Sequence, residues 1–233
     1  MTGDGGAPRI ELAGARVRLL PERALLLEAH ATLLVADVHL GKAATLRHHG
    51  VPIPGGGTAD DLRRLDIALA RTGARRLVVL GDLFHARVGR DALRTRDALA
   101  AWRAAHPGLH VTLVRGNHDR ASGDPPASLG VEVVDAPLAL APFLLAHHPA
   151  PVPGGYVLAG HLHPVARLAG PARQRLRLPC FHLGRDVGVL PAFGGLTGGA
   201  VVRPAPGERI FVVADGEVLP VHAPAPNLPG RRG

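Results

Sequence analysis

Short apolar runs that stop abruptly at polar clusters recur along this chain. Thr32 to Ala36 runs into Asp37-Val38-His39, Leu77 to Leu80 into Gly81-Asp82-Leu83-Phe84-His85, and Val111 to Val114 into Arg115-Gly116-Asn117-His118-Asp119. Phe143 to Ala146 precedes His147-His148-Pro149, and Val157 to Ala159 precedes Gly160-His161-Leu162-His163. Each run is rich in Val, Leu or Ala and lacks polar alternation, the pattern of a strand buried on both faces. These strands are expected to deliver their polar clusters to one edge of a sheet.

Between the first runs lie two segments with helical spacing. Ala59 to Arg71 places Leu62, Leu65, Ile67, Leu69 and Ala70 near one stripe; Asp91 to Ala105 carries Leu93, Leu99 and Trp102, with acids near both starts. Strand, helix, strand, helix, strand implies crossover connections and an α/β core. From about Arg173 the pattern changes to short β-type pieces broken by Gly and Pro: Leu176 to Leu178, Val187 to Leu190, Ala200 to Val202, Ile210 to Ala214 and Glu217 to Pro220. This half predicts a second, largely antiparallel sheet packed on the first.

At 233 residues and 46% hydrophobic, the chain can bury one sizeable core and is short for two catalytic domains, so a single domain over 1–233 is expected. Residues 1–8 and 223–233 read as frayed ends, and no internal repeat is visible. No apolar run approaches the ~20 residues that cross a bilayer, and the N-terminus lacks a signal-peptide pattern. A cytoplasmic protein without a membrane partner is expected. The lone Cys180 has no internal disulfide partner and reads as a small core residue. A net charge of +8 permits an anionic partner such as nucleic acid; Lys42 is the only lysine, so the positive charge is nearly all arginine.

The polar clusters contain Asp37, His39, Asp82, Asn117, His118, His147, His161 and His163. Oxygen and imidazole donors without thiolate suit Mn, Fe or Zn and disfavour a cysteine-type structural zinc. In Asp37-Val38-His39 and His161-Leu162-His163, residues i and i+2 project to one side of extended backbone, so each pair can serve one metal or two neighbouring ones. Any one of these residues alone reads as an ordinary cap, turn former or surface histidine. The ordered set DxH, GDxxH, GNHD, H, GHxH does not read as a series of independent turns.

That ordered set resembles the signature of the calcineurin-like metallophosphoesterase superfamily over residues 32–164. The resemblance implies two packed mixed β-sheets flanked by helices, an αββα sandwich, with metals where strand ends meet loops. It implies Asp37, His39, Asp82 and His163 on one divalent ion and Asp82, Asn117, His147 and His161 on the other, Asp82 bridging. Manganese is the first expectation, with zinc or iron(II) as alternatives. His147 is favoured over His148 because it stands two residues before Pro149. The same resemblance places His118 against the scissile phosphate without a metal, as acid or charge stabiliser, and Asp119 is expected to orient its ring. His85 reads equally as a partner to a ligand, a substrate contact or a solvated loop residue.

Further stretches resemble one branch, the ligase-associated DNA damage response endonucleases of the PdeM type: Asp37 to Pro54, Gly81 to Gly89, Leu178 to Pro204 and Pro206 to Val218. His182 departs from that pattern, where a larger aromatic is expected. The branch implies metal-dependent cutting of DNA phosphodiesters, with single-stranded or damaged DNA as partner and a functional link to a DNA ligase and helicase. Lys42, Arg47, Arg87, Arg115 and Arg120 flank the ligand clusters and are candidates to grip a phosphate backbone, Lys42, His85, Arg87 and Arg115 foremost. With 3% aromatic residues, base stacking is scarce and little sequence preference is expected. The alternatives are a small-molecule phosphodiesterase or phosphomonoesterase of the same superfamily and a non-catalytic module; the complete ligand set argues against the latter.

Overall fold

In a computed structural model of the chain, residues 6–54, 56–169 and 175–221 are described. The three apolar runs of the N-terminal half become β4 (Thr32–Val35), β5 (Arg76–Leu80) and β6 (His110–Val114), parallel neighbours extended by β7 (Val131–Val134). Three strands that the apolar pattern had not separated, β1 (Arg9–Leu12), β2 (Ala15–Leu20) and β3 (Ala24–Leu27), precede them as an antiparallel meander. The first sheet thus runs β1 to β7 in chain order.

Crossovers between the parallel strands carry α1 (Lys42–His48) and α2 (Thr58–Thr72), then α3 (Arg87–Asp91) and α4 (Leu93–Ala105), then α5 (Asn117–Ser122). The two helices expected from periodicity are α2 and α4, each within two residues of its expected bounds. Their stripes are narrower than the sequence reading gave them. Leu62, Leu65, Ala68 and Leu69 are buried on α2 while Ile67 is 48% exposed, and on α4 Leu99 and Trp102 are buried while Leu93 is 70% exposed. By helical geometry Ile67 lies off the Leu62-Leu65-Leu69 face of α2, and Leu93 lies off the Leu99-Trp102 face of α4.

The second sheet contains β8 (Leu138–Leu140), β9 (Phe143–Leu145), β10 (Tyr156–Ala159), β11 (Pro164–Ala169), β12 (Arg175–Leu183), β13 (Val187–Val189) and β14 (Ala200–Val201). β15 (Arg209–Ala214) joins it through β12 and carries β16 (Glu217–Val221). Hairpin pairs are antiparallel, but β10 lies parallel to both β9 and β13, so the sheet is mixed. The expected architecture of two mixed sheets with helices is what forms. Among the described residues no α-helix follows Ser122, and none is long and apolar enough to cross a membrane.

Why the strands of the first sheet are apolar on both sides follows from alternation. Leu33, Val35, Leu77, Val79 and Leu113 face α2 and α4. Their neighbours Leu34, Val78, Leu80 and Val114 face Phe143, Leu145, Leu158, Phe181, Leu183 and Phe211 of the second sheet. Cys180 is fully buried, its thiol pushed up to about 12 by burial, as a core residue should be. His182 meets Glu208 at 2.7 Å. Of the ends expected to fray, residues 1–5 and 223–233 lie outside the described residues, whereas residues 6–8 are tied down: Ala7 is buried, the Pro8 carbonyl accepts from Leu19 N–H and the Gly6 carbonyl from Val218 N–H.

Phe181 is wholly enclosed between the sheets. Phe181→Ala is expected to lower stability by about 3–5 kcal/mol and Leu93→Ala by less than about 0.5 kcal/mol, read from urea unfolding midpoints.

Candidate metal centre

Five strand ends meet here, but they come from two sheets: β4, β5 and β6 from the first, β9 and β10 from the second. Expecting one sheet edge was an error; the parallel strands of both sheets point their C-terminal ends to the same place. A second correction concerns the local backbone. Asp37 (φ 54), His39 (φ 51), Asp82 (φ 56), His161 (φ 72) and His163 (φ 47) are in the left-handed region, in loops past the strands, and not on extended backbone. Such residues cost of order 1–3 kcal/mol each and persist only where neighbours over-determine them.

The neighbours are visible. His39 N–H donates to the Asp82 carbonyl at 2.9 Å and Leu40 N–H to that of Leu83 at 2.8 Å, which zips the first two loops together. Asp119, fully buried, accepts from the N–H groups of Asp82 (2.7 Å), Leu83 (3.0 Å) and Gly116 (2.9 Å). Gly81 and Gly116 allow the close approach: a Cβ on either would collide with His147 or with the Asp82 carboxylate.

Asp37, His39 and His163 offer donor atoms within 4.8 Å of one another. His163 Nε2 is 3.3 Å from Asp37 Oδ1, and both atoms are buried without a hydrogen-bond partner, as is His39 Nδ1. On the other side His147 Nδ1 lies 3.0 Å from the Leu80 carbonyl. A carbonyl only accepts, so Nδ1 carries the hydrogen and Nε2 presents a lone pair. That lone pair faces Asn117 Oδ1 at 2.8 Å, His161 Nδ1 at 3.1 Å and Asp82 Oδ1 at 3.5 Å. Electron-rich atoms converge on one point, an arrangement that a cation relieves. The other Asp82 oxygen, Oδ2, faces His39 Nε2 at 4.0 Å, so one carboxylate addresses both groups. The donor set therefore fits two divalent ions.

Burial sets the charges. It drives the His39 imidazole down to about 2, helped by nearby Lys42, His118, His163 and His85, and it lowers His161, helped by His147 and His148. These rings are neutral donors at neutral pH. Burial raises the Asp82 carboxyl, opposed chiefly by His147, and raises Asp119 against its three backbone donors.

The remaining expected residues divide. His118 Nδ1 donates to the His85 carbonyl at 2.7 Å, which leaves Nε2 directed inward, 3.9 Å from Asp82 Oδ2. Asp119 does not orient this ring: one residue along the first turn of α5, it points into the backbone of the Asp82 loop instead. The His85 ring stacks on His118 (centroids 5.3 Å) and edges His39 (5.2 Å); burial, then Lys42 and His118, push it down to about 4. Lys42, half-buried at the start of α1, is close enough to depress both His39 and His85. Arg87 is exposed on α3. Arg115 is not free: it forks onto Asp124 (2.9 and 2.7 Å) and reaches Asp135 (3.3 Å).

His148 was weighed against His147 as a ligand, whereas Asp61 and Arg64 escaped the sequence reading. His148 is exposed, with its ring 4.3 Å from that of His161. Asp61 and Arg64 on α2 hold the loop after β13: Asp61 accepts from Gly195 N–H (2.9 Å) and Arg64 (2.7 Å), while Arg64 covers the Phe193 ring. That loop in turn donates from Phe193 and Gly194 to the carbonyls of Ala36 and Asp37. The only signal was their i, i+3 spacing beside the buried Leu62 and Leu65.

A mixed two-sheet α/β fold whose strand-end loops gather buried acid and histidine donors is the setting of a metal-dependent hydrolase of phosphoesters, the class that the family match assigns. Residues 30–184 match the family model described as calcineurin-like phosphoesterase, and the chain belongs to that family, whose members use a dinuclear divalent metal centre. Among solved structures, a Pseudomonas putida nuclease, MPE, is 46% identical over 92% of this chain and 100% of its own, with a TM-score of 0.81. Yfce, a phosphoesterase from E. coli, is 15% identical over 80% of this chain and 95% of its own, with a TM-score of 0.40. No curated protein sequence matches the chain.

The depressed His39 has a thermodynamic signature. Its folded value, about 2, lies below the ordinary 6.5, so the unfolded chain takes up the proton first. Its contribution is present above pH 6.5 and is lost as the pH falls towards 2. In metal-free protein, lowering the pH from about 7 to about 4.5 should therefore shift the stability difference in favour of His39→Gln over wild type, measured by urea unfolding at each pH.

Proposed function

We propose that this chain is a dinuclear-metal endonuclease that cuts DNA phosphodiesters, and that the 1–233 chain acts as one catalytic domain. The observation that carries the chemistry is the convergence of two donor groups on Asp82 from opposite sides. Asp37, His39, Asp82 and His163 would hold one ion, and Asp82, Asn117, His147 and His161 the other. When bound, such ions supply charge neutralisation of the phosphate and a water acidic enough to attack it at neutral pH. Manganese is the proposed metal, on the mixed nitrogen and oxygen donors, although zinc binds such donors tightly as well.

His118 is proposed as the catalytic residue that holds no metal. Its Nδ1 hydrogen is committed to the His85 carbonyl, so Nε2 is the atom that stabilises the reacting phosphate or hands a proton to the leaving oxygen. Asp119 is a positioning residue, acting through the backbone of the Asp82 loop. Lys42, His85 and Arg87 are proposed to contact substrate phosphate. The substrate assignment is supported by the 46% identity to the Pseudomonas putida nuclease along its whole length and by the net charge of +8. Single-stranded or damaged DNA in the cytoplasm, in repair beside a ligase and a helicase, is the role that the resemblance to the PdeM-type branch implies.

Elemental analysis after saturation with manganese should give two ions per wild-type chain and fewer for Asp82→Ala; one ion at most in wild type would refute the dinuclear reading. His118→Ala should keep both ions while turnover on single-stranded DNA falls roughly 10²- to 10⁴-fold. An aryl phosphodiester has a leaving group that departs without a proton, so a much smaller loss there identifies His118 as an acid, and equal losses identify it as a charge stabiliser. Hydrolysis of small phosphodiesters with no cutting of DNA would move the assignment to a small-molecule enzyme of the same family.

A further inference from the structure

The metal centre has two arginine-bearing flanks, and their charge states differ. On the α5 flank Arg115 is bound to Asp124 and Asp135, and Arg120 donates to Asp135 at 3.0 Å. Two guanidinium groups meet two carboxylates there, and the flank is neutral. Arg115 and Arg120 line a cleft of about 230 Å³ together with His147 and His148, its remaining wall being small or apolar residues such as Ala136, Pro137 and Val152.

A second flank, which meets the α5 flank where Arg90 approaches Gly123, is built from α1 and α3, which cross on glycine. A Cβ on Gly41 would strike the Gly89 backbone, and one on Gly89 would strike the Gly41 carbonyl and Thr45. The two short helices are thus locked together, and each begins just past a loop of the centre, α1 three residues after His39 and α3 two residues after His85. Their cations are held in fixed relation to the site. α1 carries Lys42 and Arg47 and no acid; α3 carries Arg87 and Arg90, with Asp91 bonded to Arg90 at 2.8 Å. Lys42 is half-buried with no carboxylate against it among the described residues, its ammonium disfavoured by burial. Arg47 Nη1 donates to the carbonyls of Ile53 (3.2 Å) and Pro54 (3.3 Å), and the residue is exposed, as are His48 and Arg87.

We propose that a single nucleic-acid strand leaves the metal centre over Lys42 and along the α1–α3 crossing, past Arg47 and Arg87, and not past Arg115 and Arg120. This rests on the nuclease reading above and adds the route to it. A phosphate that approaches Arg115 must displace two carboxylates already bonded to it, whereas one that approaches Lys42 or Arg87 meets a cation with little neutralisation and releases counterions from the strand.

The test compares Arg87→Gln and the double variant Arg47→Gln, Arg87→Gln with Arg115→Gln, using a single-stranded oligonucleotide and an aryl phosphodiester, each with manganese. Thermal melting followed by circular dichroism verifies that each variant is folded. For the α1–α3 variants the loss of kcat/KM on the oligonucleotide should exceed the loss on the aryl ester at least tenfold. The slope of log affinity against log salt should become shallower by about 0.7 for each contact removed. Arg115→Gln should lower the melting temperature and leave the salt slope as in wild type. If wild type binds and cuts the oligonucleotide but Arg115→Gln is the variant with the shallower slope, the route is wrong and the nuclease reading stands. If wild type splits the aryl ester and shows no salt-dependent affinity for the oligonucleotide, both fall together.

Discussion

Left-handed backbone at Asp37, His39, Asp82, His161 and His163 is the constraint around which the molecule is organised. None of these residues adopts it at no cost, and a loop free to relax would lose it. The cost is met by hydrogen bonds that run between loops more than within them. Asp119 ties three amide groups of two loops to one carboxylate, and the Asp82 and Leu83 carbonyls accept from the His39 loop. The same left-handed turns gather side chains from separate loops into one small volume.

Two parallel strand sets make that possible. Register between β4, β5 and β6 places their last residues side by side, and β9 and β10 do the same in the second sheet. The hydrophobic layer between Leu34, Val78 and Leu80 on one side and Phe181, Leu183 and Phe211 on the other sets how closely these ends approach. A metal site split across two sheets therefore depends on core packing in a way that a site on one hairpin does not.

Electrostatics follows from the burial. Asp37, His39, Asp82 and His147 are all at most 3% exposed, so the carboxylates lack water, and burial disfavours charge on the His39 imidazole. Buried polar atoms without a hydrogen-bond partner, such as Asp37 Oδ1 and His163 Nε2, are costly in a protein that binds nothing at that point. Divalent cations bound there would take the same atoms as ligands. Lys42 has no carboxylate at ion-pair distance among the described residues, whereas Arg115 is bound to Asp124 and Asp135.

The sequence by itself determined which strands are buried on both faces, because uninterrupted Val and Leu runs have no polar position to offer solvent. It determined α2 and α4, and it determined the donor inventory, because residue type sets metal preference. Tertiary structure decided the rest. That β1 to β3 exist as separate strands, that Ile67 and Leu93 face water, and that the five clusters come from two sheets depend on what packs against each segment. The role of Asp119 was misread because adjacent residues in a helical turn point in different directions, and two of the three amides that it binds belong to the Asp82 loop, far away in sequence. The His85 carbonyl that holds His118 is backbone, which carries no side-chain signature in sequence. Arg115 and Arg87 look alike along the chain; only the fold, by bringing Asp124 and Asp135 to one and leaving the other exposed, makes the first a structural cation and the second an available one.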